Sequence, residues 1–196
     1  DLNLDAPYVL RECELNETPL IISRVHGISE HDVQVICPAS LSEAVYEKLS
    51  STVKSVSPVG FQAYEIQRIT SGLPAIGHEI TDEYMLTEAH LETALNLESG
   101  CFTGQEVIAR TLNYEKVKQH LCHFLIKENC DISVPADLKK DGRTVGSLTS
   151  AVFDPVQEQN VGLGYVKTKY LKEYGTFEIA DTNGVTALLI KKTEPR

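Results

Sequence analysis

The chain has 196 residues, 42% of them apolar and 23% charged, the balance of an ordinary globular protein with room for one large or two small domains. Its net charge of −10 comes without any cluster of Lys and Arg, which excludes direct nucleic-acid binding, because phosphate contacts need grouped cations. No run of about 18 apolar residues is present, so no membrane-spanning helix and no membrane partner are expected.

The five cysteines (Cys13, Cys37, Cys101, Cys122 and Cys130) are odd in number and scattered, with no C-x-x-C pair. Neither a zinc ribbon nor a self-contained cluster site is written locally, and single thiols of this kind suit a reducing compartment. Bacterial cytoplasm is the default location, with an organelle as the alternative where a transit segment has been removed. The chain starts at Asp1 without an initiator methionine and reads as a fragment or a processed product.

Residues 8–15 and 19–25 are apolar-rich and bounded by turn formers, which predicts two strands in a hairpin through Asn16-Glu17-Thr18. A third strand is expected over 31–37, broken by Pro38. Ser40 is placed to cap a helix over about 41–53, with Leu41, Ala44, Val45, Leu49 and Val53 along one side. Residues 61–70 show no clean period. Ala63, Glu65, Gln67 and Arg68 tilt them towards helix on propensity. Strands and helices mixed in this way suit an α+β layer, with the helices on one face of an antiparallel sheet. A polar loop over 77–83 and a capped turn or short helix from Thr87 follow, and 93–97 is expected as a strand. His78 and His90 match no ligand spacing and read as surface or loop histidines.

After Arg110 the pattern changes to short strands, beginning within 114–126 and continuing at 144–149, 161–166, 175–180 and 185–191. Asp141-Gly142 and Asn183-Gly184 are hairpin signals. Such closely spaced strands read as a small barrel or sandwich, with a domain boundary near 112–116. His120 and His123 flank Cys122. Strand alternation puts Cys122 on the opposite face from His123, which favours surface and core roles over a metal site.

The stretch that organises the reading is Glu98-Ser99-Gly100-Cys101-Phe102-Thr103-Gly104-Gln105-Glu106. Two glycines around one thiol suggest a tight loop that presents the sulfur, with a helix from Gln105 capped by Thr103 and a capping-box Glu106. A thiol near a helix N-terminus gains thiolate character. The bland alternative is a small packing cysteine.

Ser-Gly-Cys-Phe-Thr-Gly-Gln-Glu resembles the Lys-Gly-Cys-Tyr-x-Gly-Gln-Glu signature of the YgfZ-type proteins. These are folate-dependent iron–sulfur maturation factors related to the T-protein (aminomethyltransferase) of the glycine cleavage system. Gly60, Ala63, Glu65, Arg68, Ile69, Gly72, Pro74, Gly77 and Glu79 are similar in spacing to the stretch that these relatives carry upstream of the cysteine. Val145-Gly146 with Thr149-Ser150, and Leu163-Gly164-Tyr165-Val166, resemble the C-terminal barrel of the same superfamily. Two positions depart from the pattern. Ser99 replaces a lysine, removing a cation beside the sulfur, and Thr70 replaces a T-protein glutamate that holds the pterin ring.

The resemblance implies an α+β protein, a partial ferredoxin-like α/β layer (1–114) followed by a small C-terminal β-barrel (115–196). It spans only the C-terminal part of the family's length. It implies tetrahydrofolate as cofactor, Cys101 as the catalytic thiol, and iron–sulfur client or assembly proteins as partners. Gly100, Gly104, Gln105 and Glu106 are candidates for cofactor binding, with Gln105 and Glu106 orienting the loop or else only stabilising the helix N-terminus. Arg68 and Arg110 are candidates for the carboxylate tail of folate, since a guanidinium pairs with carboxylate in bidentate fashion, and an ordinary ion pair is the alternative for each. The other functions in play are tetrahydrofolate-dependent aminomethyl transfer and a non-enzymatic folate-binding module.

Overall fold

A computed structural model describes residues 9–25, 27–29, 32–96, 100–114, 117–126, 128, 130–171, 175–182 and 184–193. The expectations for positions 8, 31, 97–99 and 183 concern residues outside this set. The chain divides into two compact units, Asp1–Tyr64 and Glu65–Arg196.

The first unit opens with an antiparallel sheet in the order β1-β2-β3, made by β1 (Leu10–Leu15), β2 (Thr18–Arg24) and β3 (Val33–Ile36). Leu15 pairs with Thr18, and the two residues between them, Asn16 (φ 52°) and Glu17 (φ 61°), are both left-handed. That is the two-residue turn whose twist matches the strands, so the expected hairpin forms. A 3-10 turn (Ala39–Leu41) then leads into α1 (Ser42–Thr52). Ser40 does not cap this helix. The tight turn takes up Ser40, leaving Leu41 at the N-cap without a side-chain bond, while the Ser42 hydroxyl donates to the Ala39 carbonyl at 2.8 Å.

Helix α2 (Phe61–Ser71) confirms the propensity-based reading of that segment. The strand expected over 93–97 is not formed; a 3-10 turn at Glu92–Ala94 stands there instead. Helix α3 (Gln105–Tyr114) holds Tyr114, so the strands begin later than their sequence pattern suggests.

Those strands close into a six-stranded antiparallel barrel in the order β4-β7-β6-β5-β8-β9. They are β4 (Gln119–Ile126), β5 (Ala136–Lys140), β6 (Arg143–Asp154), β7 (Gln159–Lys167), β8 (Thr176–Ile179) and β9 (Thr186–Lys192). Asp141 (φ 52°) and Gly142 (φ 71°) make the β5–β6 turn. Period-two alternation sorts β4 between two cores. Cys122, Phe124 and Ile126 join Leu138, Val145, Leu148, Phe177 and Leu189 in one buried cluster. Leu121 faces the other way, into a cluster with Leu163, Tyr165, Ile69 of α2 and Ala89. That second cluster gathers residues 65–94 onto the barrel.

Candidate functional site

Cys101 is exposed, whereas Cys13, Cys37 and Cys130 are half-buried and Cys122 is buried. The loop that carries it is shaped by its glycines. Gly100 sits at φ 97° and Gly104 at φ 90°, conformations that residues with a Cβ rarely adopt. The Gln105 amide donates to the Phe102 carbonyl at 3.2 Å, closing a turn over 102–105 with the left-handed Gly104 third, as a type II turn requires. The Ile108 amide then donates to the Gly104 carbonyl at 3.2 Å. Gly104 therefore occupies the N-cap of α3, and Thr103, expected there, is held one position further out by the turn. Gly100 to Gly104, Glu106 and Arg110 are exposed and Gln105 is half-buried, so these candidates form one continuous solvent-facing stretch around the thiol.

Arg68 has a different setting. It is 1% exposed, and every N–H of its guanidinium is engaged within the protein. Its Nε donates to Glu65 Oε1 at 2.8 Å, and a terminal nitrogen lies 2.8 Å from Glu65 Oε2 and donates to Ser150 Oγ at 2.9 Å. The other terminal nitrogen donates to Glu79 Oε2 at 3.1 Å and to the Leu73 carbonyl at 3.3 Å. Burial alone lowers an arginine's pKa, but the bonds and charges of Glu65 and Glu79 outweigh it and the net shift is upward, so the group stays ionised. Arg68 as it stands has no donor left for a folate carboxylate.

Glu79 is the centre of this network and is wholly buried. Its Oε1 accepts from the Thr149 and Ser150 hydroxyls, each at 2.6 Å, and its Oε2 accepts from the Ala75 amide at 3.0 Å as well as from Arg68. Consecutive strand residues normally point to opposite faces. Here the β6–β7 register shifts between Leu148 and Ser150, and this bulge turns both hydroxyls towards one carboxylate. The Tyr165 hydroxyl donates to the Glu79 carbonyl at 2.8 Å, and the Tyr165 ring stacks on Tyr84 with centroids 3.8 Å apart.

The sequence reading quoted Glu79, Thr149, Ser150 and Tyr165 only as points of resemblance and assigned them no role. Their shared spacing with the relatives was the signal available. Thr70 is exposed, and its hydroxyl donates to the Ile66 carbonyl at 2.7 Å, so no carboxylate stands at that point of α2. Of the two arginines expected to meet a folate carboxylate, Arg68 is committed within the protein and Arg110 is exposed.

The histidines divide. His78 is exposed, as expected of a loop residue. His90 is not a surface residue. It is buried at φ 58° and stacks on His120, with centroids 5.2 Å apart and rings nearly parallel, because the turn that holds it packs on β4. The Leu121 amide donates to the Glu88 carbonyl at 2.9 Å in the same contact. Among the described residues no group of three or more His, Cys, Asp and Glu side chains is placed to hold a metal ion. No helix among them is long and apolar enough to cross a membrane.

Residues 119–193 match the family described as the glycine cleavage T-protein C-terminal barrel domain. The chain is 34% identical over 135 residues to a protein of Arabidopsis thaliana named as a putative transferase, chloroplastic, covering 66% of this chain and 30% of that one. It is 26% identical over 178 residues to an aminomethyltransferase of Thermoanaerobacter pseudethanolicus, covering 88% and 47%. The glycine cleavage system aminomethyltransferase T of Bartonella henselae has the same fold, with a TM-score of 0.73 at 23% identity, covering 90% of this chain and 50% of that one. The match to that barrel family is confined to residues 119–193, and the chain spans half or less of the length of these relatives.

Proposed function

We propose that this chain is the C-terminal part of a YgfZ-like factor that assists iron–sulfur cluster assembly or repair through the thiol of Cys101. The observation that carries the reading is the presentation of that thiol, exposed between two left-handed glycines ahead of α3. Thiolate sulfur is a fitting ligand for iron. A single cysteine offers one coordination position, so the metal or cluster passes through as cargo shared with an assembly or client protein. Gln105 and Glu106 shape the start of α3, and Arg110, on the same exposed stretch, is available to a carboxylate of partner or ligand.

Tetrahydrofolate is the cofactor that the superfamily resemblance implies. With Arg68 engaged and Thr70 neutral, a folate site in the whole protein draws its main contacts from other residues. The name of one relative, aminomethyltransferase, favours a second reading, aminomethyl transfer, with tetrahydrofolate as the acceptor that the superfamily resemblance implies. The neutral hydroxyl at Thr70 weighs against it, because it cannot make the charge-assisted bond that a carboxylate makes.

The decisive experiment measures the activity of iron–sulfur enzymes in cells that depend on the full-length protein, with and without Cys101→Ser. The reading expects that activity to fall while the variant stays folded. Unchanged client activity, or glycine-cleavage turnover by the purified full-length protein, overturns it. Alkylation supplies a chemical check: Cys101 should react faster than each of the other four cysteines, and equal rates would remove the thiol from the mechanism.

A further inference from the structure

The barrel separates charge between its two ends. At one end the start of β4, the β5–β6 hairpin and the end of β7 lie side by side, through the pairings of Gln119 with Lys167, Gly146 with Val166, and Lys140 with Arg143. This end carries Lys118, Lys139, Lys140, Arg143, Lys167 and Lys169, six of the chain's 18 lysines and arginines. Lys139 and Lys140 are half-buried and the other four are exposed. The Lys167 ammonium donates to the Thr144 carbonyl at 2.9 Å, which lays it across the hairpin, and the Thr168 amide donates to the Lys118 carbonyl at 2.9 Å. The carboxylates here are Asp137, which accepts from the Thr144 hydroxyl at 3.1 Å, Asp141 in the turn, and Glu178 opposite Lys139. Among the described residues none of Lys118, Lys139, Arg143, Lys167 and Lys169 forms an ion pair. The other end carries Glu128, Asp131, Asp154, Glu158 and Asp181, with no lysine or arginine among the described residues of its connections.

Lys140 and Arg143 stand directly opposite one another at the mouth of the hairpin, and like charges paired across strands cost stability. Surfaces of soluble domains normally intersperse the two signs, whereas a field of one sign steers a charged partner. In a chain of net charge −10, it is the strand pairing that gathers these cations into one patch. We propose that this basic end of the barrel is the docking surface for the acidic face of a partner protein. Five of the six cations are lysines, point charges that lack the planar fork by which arginine reads phosphate. Tyr170 offers no open platform for a nucleic-acid base, because the Lys169 ammonium lies 4.7 Å from its ring centroid. A long polyanion or an anionic membrane would also meet the excess negative charge carried elsewhere on the chain, whereas a compact acidic face meets the basic end alone. The acidic far end strengthens the field and turns such a partner towards the lysines. The proposal is independent of the chemistry assigned to Cys101.

Amide NMR spectra of the intact protein, titrated with a short poly-glutamate peptide, test it. Shifts should move in the 140–144 hairpin, at 167–170 and at Lys118, and the affinity should fall roughly tenfold between low and physiological salt, as exposed charged contacts do. The triple substitution Lys118→Glu/Arg143→Glu/Lys169→Glu should abolish these shifts while the amides of β4, β6 and β7 keep their dispersion. Absence of any shift in the wild-type protein at low salt overturns the proposal, and that readout does not depend on the variant folding. Shifts spread over other surfaces overturn it as well. So does tighter binding of poly(U) RNA or of phosphatidylserine vesicles than of the glutamate peptide at this end, because the partner is then a nucleic acid or a membrane.

Discussion

At the scale of single residues the controlling group is the Glu79 carboxylate. It is buried, carries charge, and is held by Arg68, the Ala75 amide and two hydroxyls. Removing one partner of a buried ion pair leaves the other uncompensated and costs about 3–5 kcal/mol. Glu79→Ala should therefore lower the unfolding free energy by about that amount in denaturant titration, and Arg68→Met should do the same. The double variant should lose less than the sum, because neither single loss then strands an opposite charge. If Arg68 were a ligand residue held loosely in a cleft, Arg68→Met would leave stability nearly unchanged. The sequence shows an arginine in a shared motif, but it cannot show that a serine 82 residues further on and a glutamate 11 residues further on converge on it. The conformation around Cys101 was legible for the opposite reason. It depends on two glycines and a turn, all local to the segment.

At the scale of elements the same division holds. The hairpins at Asn16-Glu17 and Asp141-Gly142 could be read because the turn residues themselves set the backbone twist. Strand β5 could not. Ala136-Asp-Leu-Lys-Lys140 has neither alternation nor β-branched residues, and it is held in place by pairing with β6 and β8 on either side. The burial of His90, read as a surface or loop residue and found in a turn, was hidden for a related cause. A polar run such as Thr87-Glu88-Ala89-His90 looks solvated until β4 packs against it. The barrel elements also depend on close approach. A Cβ on Gly164 of β7 would run into the Ser147 carbonyl of β6, a backbone atom that cannot swing aside. Gly164→Ala should therefore destabilise the barrel by about 1–3 kcal/mol, the usual cost of overpacking, and lower its melting temperature in calorimetry. Gly142→Ala is the control for steric clash, since nothing lies within 4 Å of a Cβ there and only the left-handed backbone opposes it.

At the scale of the whole molecule, the barrel has two buried faces, an interior core and an outer patch sealed by Ile69, Ala89 and the Tyr84–Tyr165 stack. Ile69, Ala89 and Tyr84 lie outside the strands and pack on Tyr165 of β7, so loss of the seal and loss of the barrel should be one event, and the tyrosines offer a way to see it. Burial raises the pKa of Tyr165 far above its ordinary value of 10.0, with the negative charge of Glu79 adding to the effect. Burial also raises Tyr84, partly opposed by its bond to Ser147. Both phenols keep their protons in the folded state at a pH where the unfolded chain gives them up. The unfolded state then binds fewer protons, so stability falls as pH rises. This contribution is intact below about pH 10, the unfolded value, and declines progressively above it. Of the eight tyrosines, Tyr84 and Tyr165 should resist ionisation in a 295 nm absorbance titration until the barrel opens. Their late ionisation should coincide with the loss of far-ultraviolet strand signal. Tyr165→Phe keeps the stack but loses the bond to the Glu79 carbonyl, so it should lower the melting temperature at neutral pH and flatten its fall above pH 10. A melting temperature that declines equally steeply in Tyr165→Phe and wild type would place the alkaline sensitivity in the exposed lysines and not in this seal.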